Sequence, residues 1–63
     1  MRIDRVKLVT ELVRQDMTQK RLAELAGVSR ATVSCIKCGK NCSEEVGQRI
    51  AAALNVDLKK ILE

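Results

Sequence analysis

The chain has 63 residues, a net charge of +4, and no aromatic residue, histidine or proline. This length allows one domain, residues 1–63, with a small aliphatic core and no deep pocket for a small molecule. No apolar run approaches the roughly 18 residues of a membrane span, and no signal peptide is recognisable, so we expect a cytoplasmic protein without membrane contacts. The chain also lacks tyrosine and a glycine-rich phosphate loop, so neither an enzyme nor a cofactor is expected.

The positive charge is concentrated in one part of the chain. From Arg14 to Lys40 there are six basic and two acidic residues, whereas outside this stretch six basic residues are matched by six acidic ones. The entire excess therefore belongs to one segment. Such clustering is typical of a surface that binds nucleic-acid phosphates.

The same segment has the pattern of two short helices separated by a tight turn. Apolar residues recur at helical spacing on both sides of the turn Ala26-Gly27-Val28-Ser29. Gly27 can close the first helix in the left-handed conformation, and the Ser29 hydroxyl can cap the second. The pattern predicts a helix-turn-helix, with helices from 19 to 26 and from 30 to about 37.

One helix is predicted before this motif. It runs from about Ile3 to about Gln15, with an apolar stripe of Val6, Val9 and Val13, Leu8 and Leu12 beside that stripe, and Glu11 on the polar face. The next helix is capped by Thr18 and should turn Leu22 and Leu25 inward.

Two helices are predicted after the motif. The fourth follows the cap Ser43 and has an inward stripe formed by Val46, Ile50, Ala53 and Leu54. Asn55 ends it, and Asp57 caps a short fifth helix that continues to the end of the chain. We therefore expect an all-α fold, a compact five-helix domain in which the helix-turn-helix forms helices two and three.

The frame from Gln19 to Cys38 resembles the helix-turn-helix of the Cro and repressor (XRE-like) family of phage and bacterial regulators. The residues that carry this resemblance are Leu22, Ala23, Ala26, Gly27, Val28, Val33 and Ile36. The preceding helix, the Gly39-Lys40 pair and the closing segment 50–62 are similar to that family as well. The string from Ala26 to Ser34 also resembles the lactose-repressor headpiece, but that motif starts almost at the N-terminus, so the segment before Thr18 favours the Cro and repressor family.

This resemblance implies a lambda-repressor-like domain that acts as a sequence-specific transcriptional regulator, a repressor that binds double-stranded DNA. A homodimer would place one recognition helix per subunit in successive major grooves of a palindromic operator, about 34–36 Å apart. Carried over by position, the base-contacting residues are Arg30, Ala31, Thr32, Ser34 and Cys35. The phosphate-contacting residues are Thr18, Gln19, Lys20, Ser29, Lys37, Lys40 and Asn41. The dimer interface is Leu58, Ile61 and Leu62.

The chain departs from the family at one pair of positions. Many members pair an arginine late in the first helix with a glutamate near the end of the third, and Leu12 and Lys37 stand there instead. Because both partners have changed, no charge is left buried and unpaired, and Lys37 is free to reach a phosphate.

Two other functions are compatible with the sequence. The first is a protein-interaction module such as an antitoxin or anti-repressor. The second is a thiol- or metal-responsive regulator that uses Cys35, Cys38 and Cys42, spaced C-x2-C-x3-C. Three thiolates without a histidine fall short of the four ligands of a closed zinc site, so no metal site is predicted.

Overall fold

The computed structural model describes residues 1–63. It contains four α-helices, followed by a 3₁₀ turn at Leu58–Lys60, and the helices are α1 (Arg5–Arg14), α2 (Gln19–Ala26), α3 (Arg30–Lys37) and α4 (Glu44–Leu54). An isolated antiparallel bridge joins Ile3 to Leu62. The all-α prediction is confirmed. No helix is long and apolar enough to cross a membrane.

The predicted fifth helix is a single 3₁₀ turn. Asp57 caps it, as expected, by accepting a hydrogen bond from the backbone N–H of Lys59. The chain then leaves the helical conformation because the Ile61 carbonyl accepts a hydrogen bond from the Asp4 N–H at 2.7 Å, and Leu62 joins the bridge to Ile3. Pairing between the two ends of the chain therefore replaces the last predicted helical turn.

Each α-helix begins after a side-chain oxygen that accepts a hydrogen bond from a backbone N–H of the first turn. The caps are Asp4, Thr18, Ser29 and Ser43. Such caps satisfy backbone donors that a helix leaves without partners. They also explain why α1 starts at Arg5 and not near Ile3, since Asp4 holds the cap and Ile3 is buried in the bridge.

Leucines, not valines, form the buried face of α1. Leu8 is fully buried and Leu12 is 6% exposed, whereas Val6 and Val13 are 68% and 75% exposed. The buried face of α1 is therefore formed by the leucines beside the expected valine stripe and not by the stripe itself. Both stripes have helical spacing, so periodicity does not distinguish them, and the core takes the larger side chains, which bury more apolar area.

Glu11 lies on the leucine face of α1 and is 4% exposed, so its predicted place on the polar face was also wrong. The Arg14 guanidinium donates to its Oε2 at 2.9 and 2.6 Å, and the Lys60 ammonium lies 3.3 Å from its Oε1. These cations compensate the loss of water around a buried carboxylate and join α1 to the 3₁₀ turn. The Arg14 hydrogen bonds, opposed by burial, lower the pKa of Glu11 from its ordinary value of 4.5.

Helix α2 lies in the middle of the fold and packs against both α3 and α4. Its buried side chains are Leu22, Ala23 and Ala26. Leu25 was predicted to point inward, but it is 48% exposed. The two alanines allow the neighbouring helices to approach closely, and the buried face is centred on them. Leu25 is left at the edge of that face.

Helix α4 contributes Ile50, Ala51 and Leu54 to the core, all at most 3% exposed. Ile50 and Leu54 were predicted, whereas Val46 and Ala53 are only half-buried. The buried face is therefore rotated toward the small side chain of Ala51, against which α2 can pack. Asn55 ends α4, as expected, and it adopts the left-handed conformation with φ +57°.

Gly27 is expected to be intolerant of a side chain because its φ is +71°. Gly27→Ala should lower the free energy of unfolding by about 1–2 kcal/mol, the cost of the left-handed conformation for an L-residue. Urea unfolding followed by circular dichroism measures this loss. Gly27→Asn is the matched control, since asparagine enters this conformation more readily and should lose less. Equal losses would instead implicate the Arg49 guanidinium, which would lie 3.3 Å from the added Cβ.

Glu11 is expected to make stability depend on pH in the acid range. Its folded pKa is lowered, so its stabilising charge is fully present above the ordinary value of 4.5 and is lost as pH falls through the folded pKa. Glu11→Gln should therefore be less stable than the wild type at neutral pH, and the difference should shrink in acid. Urea midpoints at a series of pH values measure it.

The exposed Glu24, which makes no ion pair, provides the control variant Glu24→Gln, with little effect at any pH. A Glu11→Gln deficit that stays constant into acid would show that the carboxylate stabilises through packing and not through its charge.

Candidate nucleic-acid interface

The turn between α2 and α3 is fixed by backbone hydrogen bonds. Gly27 is left-handed and its N–H points to the carbonyls of Ala23 and Glu24, while the Val28 N–H donates to Ala23 at 3.1 Å. Ser29 then accepts from the Thr32 N–H at 3.1 Å and starts α3. Because α2 and α3 also pack against each other, the turn holds α3 in one orientation.

Helix α3 has one buried and one exposed face. Val33 and Ile36 are at most 1% exposed and anchor the helix in the core. The opposite face is exposed and carries only one charged side chain; its residues are Arg30, Ala31, Ser34 and Cys35. Small side chains on this face allow a helix to enter a groove closely, and an arginine can donate two hydrogen bonds to one base edge.

Two of the residues assigned to DNA from the sequence have hydroxyls that are already engaged. The Ser29 and Thr32 hydroxyl oxygens lie 2.9 Å apart, and Thr32 is half-buried. The pair therefore fixes the start of α3. It stands at the margin of the exposed face, beside Arg30.

Basic side chains without ion-pair partners are concentrated in the segment that contains this face. The cations of all four ion pairs lie outside the segment 17–41, and they are Arg2, Arg14, Arg49 and Lys60. The cations of that segment make no ion pair, and they are Lys20, Arg21, Arg30, Lys37 and Lys40. Of these, Arg21 was not singled out in the sequence, although its charge and its place in the first turns of α2 were visible there.

The start of α2 presents further hydrogen-bond donors. The Thr18 hydroxyl accepts from the Arg21 N–H at 3.1 Å and keeps its own O–H for donation. Lys20 is exposed and Gln19 half-buried beside it. Backbone donors and the positive end of the helix dipole favour an anion at such a position.

The loop after α3 brings two more of the assigned residues to the exposed face. Gly39 is left-handed with φ +94°, and the Lys40 N–H donates back to the Cys35 carbonyl at 3.1 Å. Ala31 and Cys35 consequently line the same cleft, of about 370 Å³, as Lys40 and Asn41. Base-contacting and phosphate-contacting candidates are thus neighbours.

The N-terminal segment holds this loop in place, which no sequence signal indicated. The backbone of Met1 makes two hydrogen bonds with the backbone of Cys42, at 2.9 and 3.0 Å. The Arg2 side chain donates to the Gly39 carbonyl at 3.1 Å. Contacts between residues about forty positions apart leave no local pattern.

The three cysteines are free thiols and do not form a metal site. Cys35 and Cys38 are exposed, and Cys42 is half-buried against the core. No group of three or more histidine, cysteine, aspartate or glutamate side chains is placed to hold a metal ion. Cys35 therefore belongs to the exposed face of α3 as a small neutral residue.

The residues assigned to a dimer interface are not equivalent. Ile61 is fully buried in the core of the chain, so its side chain offers no exposed surface to a partner. Leu58 and Leu62 are half-buried and line a cleft with Val56 between α4 and the 3₁₀ turn. These three side chains form the apolar surface that remains at this end of the molecule.

Comparison with known proteins supports this description. The protein family described as helix-turn-helix (HTH_3) matches residues 10–61. The restriction-modification controller protein C.AhdI from Aeromonas hydrophila is similar in structure, with a TM-score of 0.81 and 25% identity over 86% of this chain and 83% of that one. PhpD, in a structure with cadmium atoms, gives a TM-score of 0.85 at 24% identity over 100% of this chain. The chain spans only 14% of the length of PhpD, so that likeness concerns the fold. No curated protein sequence matches.

Proposed function

The chain belongs to the helix-turn-helix family of DNA-binding transcriptional regulators, of the Cro and repressor type, and from this premise we propose that it is a repressor that binds a palindromic operator as a homodimer. The observation that carries the proposal is the exposed face of α3, which has one arginine among small side chains and lies in a segment whose cations make no ion pair. The likeness to a controller protein supports a role in controlling transcription.

In this proposal α3 enters the major groove and reads bases. Arg30 donates two hydrogen bonds to guanine O6 and N7, the commonest specific contact. Ala31 and Cys35 contact base edges, with the thymine methyl as the natural neighbour of Ala31. Thr32 and Ser34 lie at the margins of the reading face.

Phosphates on either side of the groove are bound by donors around α3. Thr18, Gln19 and Lys20 bind from the start of α2, and Ser29 and Lys37 from the two ends of α3. Lys40 and Asn41 bind from the loop. Contacts of this kind set the register of a protein on the duplex without reading its sequence.

Residues 1–63 act as one domain in this proposal. The core cluster draws on all four helices and on both ends of the chain, through Ile3 and Ile61. A palindromic site then requires two such domains related by a two-fold axis, with recognition helices about 34–36 Å apart. The Val56, Leu58 and Leu62 surface is the proposed contact between them.

Selection of binding sites from random duplex DNA should yield an enriched palindrome bound at least about 10³-fold more tightly than random DNA.

Arg30→Ala should change the preferred base at one position of each half-site, at a cost of about 1–3 kcal/mol. Lys40→Ala should weaken binding to all DNA sequences alike, and it should reduce the slope of log affinity against log salt by about 1 per site. Gel-shift titrations at several salt concentrations measure both effects.

The two variants control for each other, because both remove one exposed cation. If Arg30→Ala weakened every sequence equally, Arg30 would be a phosphate contact. If the selection enriched no sequence at all, the operator-binding proposal would fail.

Leu62→Glu should convert the homodimer to a monomer, since it places a carboxylate in the apolar surface between subunits. Sedimentation equilibrium of the free protein, and of the protein on operator DNA, measures the change. Leu25→Glu, at an exposed leucine of α2 outside that surface, should leave the dimer intact. A wild-type protein that is monomeric both free and on DNA would contradict the dimer.

A further inference from the structure

Helix α1 has a second apolar face that the core leaves largely exposed, with only Val9 half-buried, and we propose that this face docks an acidic amphipathic helix of a partner protein. Val6, Val9 and Val13 lie on it at spacings of three and four residues. Val6 and Val13 are among the most exposed large apolar side chains of the molecule. The proposal concerns protein binding and does not rest on the proposed DNA contacts, although the groove shares Lys37 with them.

The three valines form the floor of an open groove of about 640 Å³ between α1 and the end of α3. From Val6 to Val13 the helix advances about 10 Å, which is two turns. A partner helix presents its own apolar anchors at the same three- and four-residue spacing over the same length. The floor therefore fits the apolar stripe of one short helix.

The rim of the groove is basic. Arg5, Arg14 and Lys37 line it together with Thr10, and no acidic side chain does. Arg14 shares its charge with Glu11, whereas the side chains of Arg5 and Lys37 make no hydrogen bond or ion pair. Two free cations beside an apolar floor favour a partner with carboxylates on both sides of an apolar stripe.

The same charges disfavour a second copy of this chain as the occupant. A two-fold contact between the α1 helices of two copies would bring Arg5 and Arg14 of one copy against the same cations of the other, and like charges across an interface oppose association. DNA is disfavoured by the floor, because valine methyl groups offer no hydrogen bond to a phosphate. An acidic amphipathic helix satisfies both the floor and the rim.

The docking groove continues toward the start of α2. A neighbouring depression shares Val9, Val13 and Lys37 with it and extends past Asp16 to Thr18 and Gln19. The single carboxylate, Asp16, lies only in this extension. A helix in the main groove would thus meet cations alone.

A synthetic peptide tests the proposal. It forms an amphipathic helix with a leucine stripe flanked by glutamates, and a second version carries lysines in place of the glutamates. The glutamate peptide should bind at least about tenfold more tightly by fluorescence anisotropy, and its affinity should fall as salt is added. Amide chemical-shift changes should map to α1 and the end of α3.

Two variants probe the floor and the rim separately. The double variant Val6→Gln and Val13→Gln, which changes no charge, should weaken binding of the glutamate peptide at least about tenfold. Arg5→Glu should weaken it by a similar factor. Leu25→Gln is the matched control, since it removes an exposed apolar side chain outside the groove, and it should change affinity less than about twofold. Circular dichroism and urea midpoints confirm that each variant is folded, and Arg5→Glu tests the groove with its valines intact.

Four results would overturn the proposal. The first is equal binding of the two peptides, and the second is shift changes confined to the exposed face of α3. The third is a wild-type self-association that the valine variant abolishes, which would assign the groove to a second copy. The fourth is a loss of DNA affinity of tenfold or more in the charge-neutral valine variant, which would make the groove part of the DNA interface.

Discussion

The structure depends on the close packing of α2 against its neighbours, which the small side chains of Ala23 and Ala26 permit and the left-handed Gly27 completes. A larger side chain in α2 would push its neighbours away, and a residue other than glycine at position 27 would strain the turn that orients α3. Given this packing, Val33 and Ile36 must enter the core. Arg30 and Ala31 are then necessarily exposed, so the face proposed to read DNA is set by how the opposite face is buried.

The cations of the molecule fall into two groups, those that pair with carboxylates of the fold and those that stay unpaired at the surface. Arg2, Arg14, Arg49 and Lys60 are paired with carboxylates of the framework, and Lys7 donates to the Leu62 carbonyl. The cations around α3 have no such partners. Only the Glu11 site is buried, so only there does a partner offset a substantial cost of burial, since exposed ion pairs contribute little. The unpaired cations keep their full charge available for an anionic ligand.

Features set within a few residues could be predicted from the sequence. The caps Thr18, Ser29 and Ser43 and the left-handed Gly27 and Asn55 depend on local hydrogen bonds and backbone conformation, so a short string of residues reveals them. The exposed face of α3 could be predicted for the same reason, together with the family resemblance. Which residues contact bases and which contact phosphates stays a prediction.

Features set by long-range contacts could not be predicted. The leucine and valine stripes of α1 are equally periodic, and only the position of the core decides between them. Glu11 is buried where Lys60, distant in the sequence, reaches it, and Ile61 is buried where its carbonyl binds the Asp4 N–H. Neither contact is visible locally. The Met1 and Arg2 contacts that hold the Lys40 loop belong to the same class.

The valine stripe of α1 follows from this competition between faces. A core of this size can accept only one apolar face of α1, and Leu8 and Leu12 occupy it. Valine is a poorer helix former than leucine or alanine because its branched side chain loses freedom in a helix, so helix propensity does not account for Val6, Val9 and Val13. Burial does not account for Val6 and Val13 either. A single exposed apolar residue needs no explanation, but a contiguous stripe with free cations at its edge is the kind of surface that contact with another molecule stabilises.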